Sequence, residues 1–179
     1  MKAVDLREMS DWCAARDIRI DKHRRATFTS SSGVYEIDLP KESNRVLALV
    51  RALFYPEETG KFGGGVVWFA ETDLSSDDVG PYIAERMRLS YGVSGWPLPS
   101  AHIYERTELL DAQAMFALAG LFEWDGYYFP THGEYFFFFY HHRKVFIYQM
   151  GDSLQSDLLV SLQIFFAANP NCKMTHLRT

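Results

Sequence analysis

The sequence EYFFFFYHHRKVFIYQ, residues 134–149, carries eight aromatic side chains and is the richest apolar part of the chain. An unbroken aromatic run over 135–140 is separated from a second apolar run over 145–148 by a short polar break. This pattern predicts a β-hairpin at the centre of the core. The break lacks Gly, Asn and Asp, so a two-residue turn is disfavoured and we expect a loop of about four residues.

Both faces of this hairpin must be apolar, because successive side chains of a strand point to opposite sides. A sheet with one face in water would instead alternate aromatic and polar residues. We expect one face to be covered by helices predicted over 43–55, 107–122 and 153–166. For the other face we consider a helix over 3–15, the loop 90–101 or a second copy of the chain.

The rest of the chain interleaves helical and strand patterns. Residues 66–70 form a continuous apolar run, which is typical of an interior strand. Three consecutive strands are predicted late in the chain, over 124–129, 134–141 and 145–149. We therefore predict a single α+β domain with a mostly antiparallel sheet, a C-terminal aromatic β-meander and helices packed on at least one face. The tail after Pro170 is expected to be loosely held.

Composition excludes several classes of protein. The net charge of −5 argues against nucleic-acid binding, which normally needs a basic face. No apolar run approaches the roughly 20 residues that a membrane-spanning helix needs, and the N-terminus does not resemble a secretory signal. We expect a cytoplasmic protein without membrane contact, in which Cys13 and Cys172 are buried free thiols.

Known nucleotide-binding patterns are absent, and no cofactor is predicted. Glycines at 63–65 invite comparison with a phosphate-binding loop, but they precede a strand rather than a helix. Phe62 follows Lys61, where the Walker motif requires Ser or Thr. A flexible connection is the better interpretation of this segment.

Four residues around one predicted strand form the best candidate for chemistry. They are Glu123, Asp125, His132 and Glu134. Carboxylates and an imidazole can ligate a metal or transfer protons. In the competing interpretation, the first two flank a helix-to-strand junction and the last two belong to an ordinary hairpin turn.

His132 and Glu134 are also candidates for binding, and further candidates lie in two loops. His141, His142 and Arg143 occupy the polar break of the hairpin, and adjacent histidines on a strand would face opposite ways, which suits no single metal. Tyr91, Trp96 and Leu98 lie in a loop rich in glycine and proline, where large apolar residues often anchor a partner. Trp96 can equally fold back onto the second face of the hairpin.

These observations predict a non-enzymatic module that binds a protein partner, for which the acidic charge favours a basic surface. The general style resembles small bacterial α+β proteins that neutralise toxins or act as adaptors, an analogy at the level of fold. The alternatives are a metal-dependent hydrolase using the four-residue cluster, or a small-molecule binding domain with an aromatic pocket between sheet and helices. A homodimer is also expected, formed through a sheet face or the loop carrying Trp96.

Overall fold

The structure is a computed structural model that describes residues 1–21, 25–28, 32–59, 63–71, 82–83, 86, 101–152, 154 and 156–177. This part of the chain builds an eight-stranded sheet, a separate two-stranded ribbon and helices. Every strand pairing described in the large sheet is antiparallel. The predicted α+β class is therefore confirmed.

The strands are β1 (Lys2–Val4), β2 (Ile18–Ile20), β3 (Ala26–Phe28), β4 (Gly33–Asp38), β5 (Gly64–Glu71), β6 (Ala101–Glu105), β7 (Asp125–Pro130), β8 (Tyr135–Tyr140), β9 (Lys144–Gln149) and β10 (Met174–Leu177). The helices are α1 (Leu6–Ala14), α2 (Ser43–Glu58), α3 (Leu109–Leu121) and α4 (Ser156–Ala168), with a 3-10 turn at Arg106–Glu108 before α3. The large sheet has the order β1-β6-β5-β7-β8-β9-β4-β10, and β2 pairs with β3. None of the helices described has the length and apolar character needed to cross a membrane.

The predicted meander is formed by β7, β8 and β9 in the interior of the sheet. Its second turn is shorter than predicted, because Tyr140 pairs with Lys144 and leaves a loop of only three residues. Arg143 has a φ of +61°, the left-handed conformation with which a three-residue hairpin loop usually ends. Glycine normally signals this conformation, and its absence here explains the error in the predicted loop length.

The tail is a strand, and the expectation that it is loosely held was wrong. Strand β10 pairs with β4, and Met174 lies opposite Ile37. Without β10, the backbone groups along one side of β4 would be left unpaired. At the other end of the chain, β1 replaces the first turn of the predicted helix, and α1 begins after Asp5, whose carboxylate accepts the N–H of Glu8 at 2.8 Å.

Helices α2, α3 and α4 cover one face of the sheet, as predicted. Tyr135, Phe137 and Phe139 point to this face and are fully buried. The ring of Phe116 on α3 stacks on Phe139 with a centroid distance of 4.5 Å. Helix α3 also comes very close to the sheet at Gly126, where an added Cβ would lie 2.5 Å from the Cβ of Ala119. The missing side chain thus sets the distance between α3 and the sheet.

The second face of the hairpin is covered in part by α1 and by the β2–β3 ribbon. Phe28 of the ribbon stacks on Phe136 with a centroid distance of 3.7 Å. Trp12 of α1 lies 6.3 Å from the ring of Phe129 on the neighbouring strand β7, and Met9 of α1 belongs to the same buried cluster as Phe136. Phe138 remains partly exposed. The N-terminal helix is therefore one cover, as considered above, and the ribbon is another that the sequence did not suggest. The loop 90–101 lies outside the described residues except for Ala101.

Replacement of Gly126 by alanine is expected to lower the free energy of unfolding by about 1–3 kcal/mol, because α3 must move away from the sheet. Gly151→Ala is the matched control, since its added Cβ would meet no atom within 4 Å, and we expect a change within about 0.5 kcal/mol. Urea denaturation of both variants tests this close approach. Equal stabilities for the two variants would contradict it.

The buried thiol of Cys13 makes the stability of the fold depend on pH in the alkaline range. Burial raises its pKa from about 9 to about 12, and Arg16 opposes only part of this effect. The folded state therefore holds the proton more tightly than the unfolded state does. The resulting stabilisation is complete below about pH 9 and is lost as the pH rises towards 12.

We therefore expect the free energy of unfolding to fall above pH 9 with a slope of up to about 1.4 kcal/mol per pH unit from this group. In Cys13→Ala the absolute stability will be lower, but the alkaline slope should be reduced. Urea denaturation at several pH values between 8 and 11 measures both quantities. Parallel pH profiles for the two proteins would count against a buried, neutral thiol.

Candidate functional site

Five of the residues singled out in the sequence meet at one end of the meander. Glu123 follows the end of α3 and Asp125 is the first residue of β7, and His141, His142 and Arg143 form the turn between β8 and β9. Asp125 contacts His141 through hydrogen bonds, and Glu123 forms an ion pair with Arg143. We call Tyr140 and the three loop residues the β8–β9 turn.

The four residues considered as an alternative metal site do not come together. Glu123 and Asp125 come before the body of β7, whereas His132 and Glu134 follow its other end, about 16 Å further along an extended strand. Among the residues described, no group of three or more His, Cys, Asp or Glu side chains could hold a metal ion. The four residues were close in sequence, but an extended strand separates the two pairs.

His132 and Glu134 belong to the turn between β7 and β8. The Nδ1 atom of His132 accepts the N–H of Glu134 at 3.0 Å, and its ring lies 4.8 Å from that of Tyr135. This matches the interpretation as an ordinary hairpin turn. The third group of candidates, Tyr91, Trp96 and Leu98, lies outside the described residues.

Asp125 fixes the orientation of His141. Its Oδ1 atom accepts the backbone N–H of His141 at 2.9 Å and lies 2.9 Å from Nδ1 of the same residue. The Asp125 side chain is 12% exposed, whereas the His141 side chain is 39% exposed. A carboxylate beside Nδ1 favours a proton on that nitrogen, which then donates to Asp125.

Two residues at this site have backbone conformations that normally require glycine. Glu123 has a φ of +56° and Arg143 a φ of +61°. Glu123 follows the end of α3, where the N–H of Trp124 donates to the carbonyl of Ala119 at 2.9 Å, the pattern of a Schellman motif. Each left-handed residue that is not glycine costs about 1 kcal/mol or more.

The side chains of these two strained residues contact each other. The guanidinium group of Arg143 forms an ion pair with Glu123 and also donates to the carbonyl of Pro40 at 2.7 Å. The backbone carbonyl of Arg143 accepts the N–H of Leu39 at 2.8 Å. The β8–β9 turn is thus tied both to the end of α3 and to the connection between β4 and α2.

The outer part of the turn is a compact group of rings. The ring centroid of Tyr140 lies 4.4 Å from that of His141 and 4.8 Å from that of His142. The two imidazole centroids are 4.1 Å apart. Lys144, at the base of the turn, forms an ion pair with Glu36, and this hydrogen bond raises the pKa of Lys144. The turn therefore presents aromatic and imidazole groups on a fixed backbone.

The pairing of Asp125 with His141 and the contacts of Tyr140 were not predicted from the sequence. The turn at residues 130–134 could have predicted that Asp125 lies close to His141. An antiparallel hairpin around that turn places Gly126 opposite Phe139, and Asp125 then lies next to the start of the following loop. The left-handed conformations of Glu123 and Arg143 left no signal in the sequence, because neither residue type predicts them.

Substitutions at Arg143 separate backbone strain from side-chain contacts. Arg143→Gly and Arg143→Ala both lose the ion pair and the bond to Pro40, but only glycine relieves the left-handed conformation. We expect the glycine variant to be more stable than the alanine variant by about 1 kcal/mol in urea denaturation. Equal stabilities would show that the turn relaxes without strain once the guanidinium group is removed.

Comparison with known proteins adds no functional information for this site. The chain matches no known protein family, and no curated protein or solved structure is significantly similar to it.

Proposed function

We propose that the chain is a non-enzymatic protein-binding module, of the adaptor or toxin-neutralising type, and that the β8–β9 turn is its docking site. The observation that best supports the proposal is the contact between Glu123 and Arg143, both of which have a strained backbone conformation. Glycine at either position would relieve backbone strain, yet both positions hold charged residues that contact each other. Strain of this kind is concentrated at functional sites, where it serves to hold a geometry.

The composition of the turn supports binding to a protein surface. Tyrosine and arginine are among the residues that contribute most to binding energy at protein interfaces. Hydrogen bonds from His141 to Asp125 and from Arg143 to Pro40 hold the backbone before any partner arrives. A preformed turn loses less conformational entropy on binding than a flexible loop does.

Charge and cysteine usage support the finer parts of the proposal. The net charge of −5 favours association with a basic partner, because opposite charges attract at long range. Cys13 and Cys172 are free and buried, which suits the reducing environment of the cytoplasm. The alternative of a metal-dependent hydrolase has less support, because Glu123 and Asp125 lie at one end of β7 and His132 and Glu134 lie beyond the other.

Affinity capture from the native host tests the docking site. The bait is the purified chain, and the comparison is between wild type, His142→Ala and Arg143→Gly. Neither change removes a buried side chain, so both variants should fold. We expect each variant to retain at most about one tenth of the protein captured by wild type, as for residues that dominate an interface.

The matched control is His132→Ala, which changes a histidine in the other turn of the meander and should leave capture unchanged. Capture should also weaken as salt is raised, if attraction between opposite charges contributes to it. A wild-type bait that captures no protein, or equal capture by all four baits, would exclude the β8–β9 turn as the docking site.

A further inference from the structure

The outer surface of α4 is unusually apolar for a helix at the protein surface. From Leu158 to Ala168 its sequence is LLVSLQIFFAA, which contains no charged residue. Val160 and Ile164 are 50% and 68% exposed. Surface helices normally place charged and polar side chains on the side that faces water. Two large apolar side chains on an uncharged surface indicate that this side of α4 is covered in the functional state.

A groove of about 360 Å³ runs beside this surface, between α4 and α2. Its floor is closed where the hydroxyl of Ser161 donates to the carbonyl of Ala52 at 2.6 Å. Residues from one face of each helix line it, among them Ala48, Arg51, Ala52 and Tyr55 of α2 and Ile164 and Ala168 of α4. The spacing of the α2 residues is that of a single helical face.

The charges on this face of α2 are arranged to match a second copy of the same face. Arg51 and Glu58 are exposed and lie on either side of Tyr55, which is 42% exposed. Neither forms an ion pair within the described part of the chain. When two copies of α2 pack antiparallel about a two-fold axis beside Tyr55, Arg51 of one copy lies against Glu58 of the partner subunit.

We propose that the chain forms a symmetric homodimer through α2 and α4. The contact covers the exposed apolar side chains of α4, and two reciprocal ion pairs join Arg51 to Glu58 of the partner subunit. A two-fold axis makes the contact self-complementary and closed, so that association stops at two subunits. This interface differs from the sheet face and the Trp96 loop considered from the sequence, and it uses no residue of the β8–β9 turn.

Sedimentation velocity over a range of protein concentrations tests the interface. Wild type should show a monomer–dimer equilibrium with dimer predominant at high micromolar concentration. Ile164→Asp should raise the dissociation constant by about 30-fold or more, the effect of losing a dominant interface residue. Leu110→Asp is the matched control, because Leu110 is 72% exposed on α3 and lies outside the groove. It should associate like wild type, and circular dichroism should show both variants folded.

Charge reversal tests the orientation of the two subunits. Arg51→Glu and Glu58→Arg should each raise the dissociation constant by about tenfold, because each places like charges together twice in the dimer. The double variant R51E/E58R restores opposite charges and should return the constant towards that of wild type. Failure of the double variant to do so would overturn the proposed antiparallel arrangement.

Two further results would overturn the proposal as a whole. One is a wild-type protein that stays monomeric at high micromolar concentration. The other is a monomer that carries a co-purified apolar molecule in native mass spectrometry, lost in Ala52→Phe, since the groove would then be a ligand site. A dimer that persists in Ile164→Asp would likewise exclude α4 from the interface.

Discussion

The fold depends on one constraint, which is that β8 is aromatic on both sides. A strand with one wet face could lie at the surface under a single layer of helices, but β8 needs apolar cover above and below. Three helices supply it on one side through Tyr135, Phe137 and Phe139. On the other side α1 and the β2–β3 ribbon cover Phe136 and neighbouring residues. Burial of β8 therefore depends on α1 and the β2–β3 ribbon, which come much earlier in the chain.

Patterns within single elements could be predicted from the sequence, and pairings between distant elements could not. The meander and the interior position of β5 follow from apolar runs and turn residues, which act locally. The pairing of β10 with β4 was missed because MTHL is short and only partly buried, and its partner lies near the other end of the chain. Strand β10 contributes to the fold through backbone hydrogen bonds, which amino-acid composition does not predict.

The candidate site was predicted as a set of residue types, but its geometry was not. Three carboxylates and one histidine near one strand suggested a candidate cluster, and the strand itself divides them into two pairs. The contacts that do form, from Asp125 to His141 and from Glu123 to Arg143, depend on strand register and on two left-handed residues. Both positions hold a charged residue where glycine is usual. The sequence therefore gives no indication of the left-handed conformations that bring these groups together.

The position of β4 has a consequence for how the chain folds. It lies between β9 and β10, so it is held on both sides by segments that are synthesised well after it. Such contacts join residues far apart in sequence, and proteins dominated by them fold slowly. The sheet cannot be completed while the ribosome is still making its last two strands. Until both β9 and β10 have been made, at least one edge of β4 is unpaired and open to association with other chains.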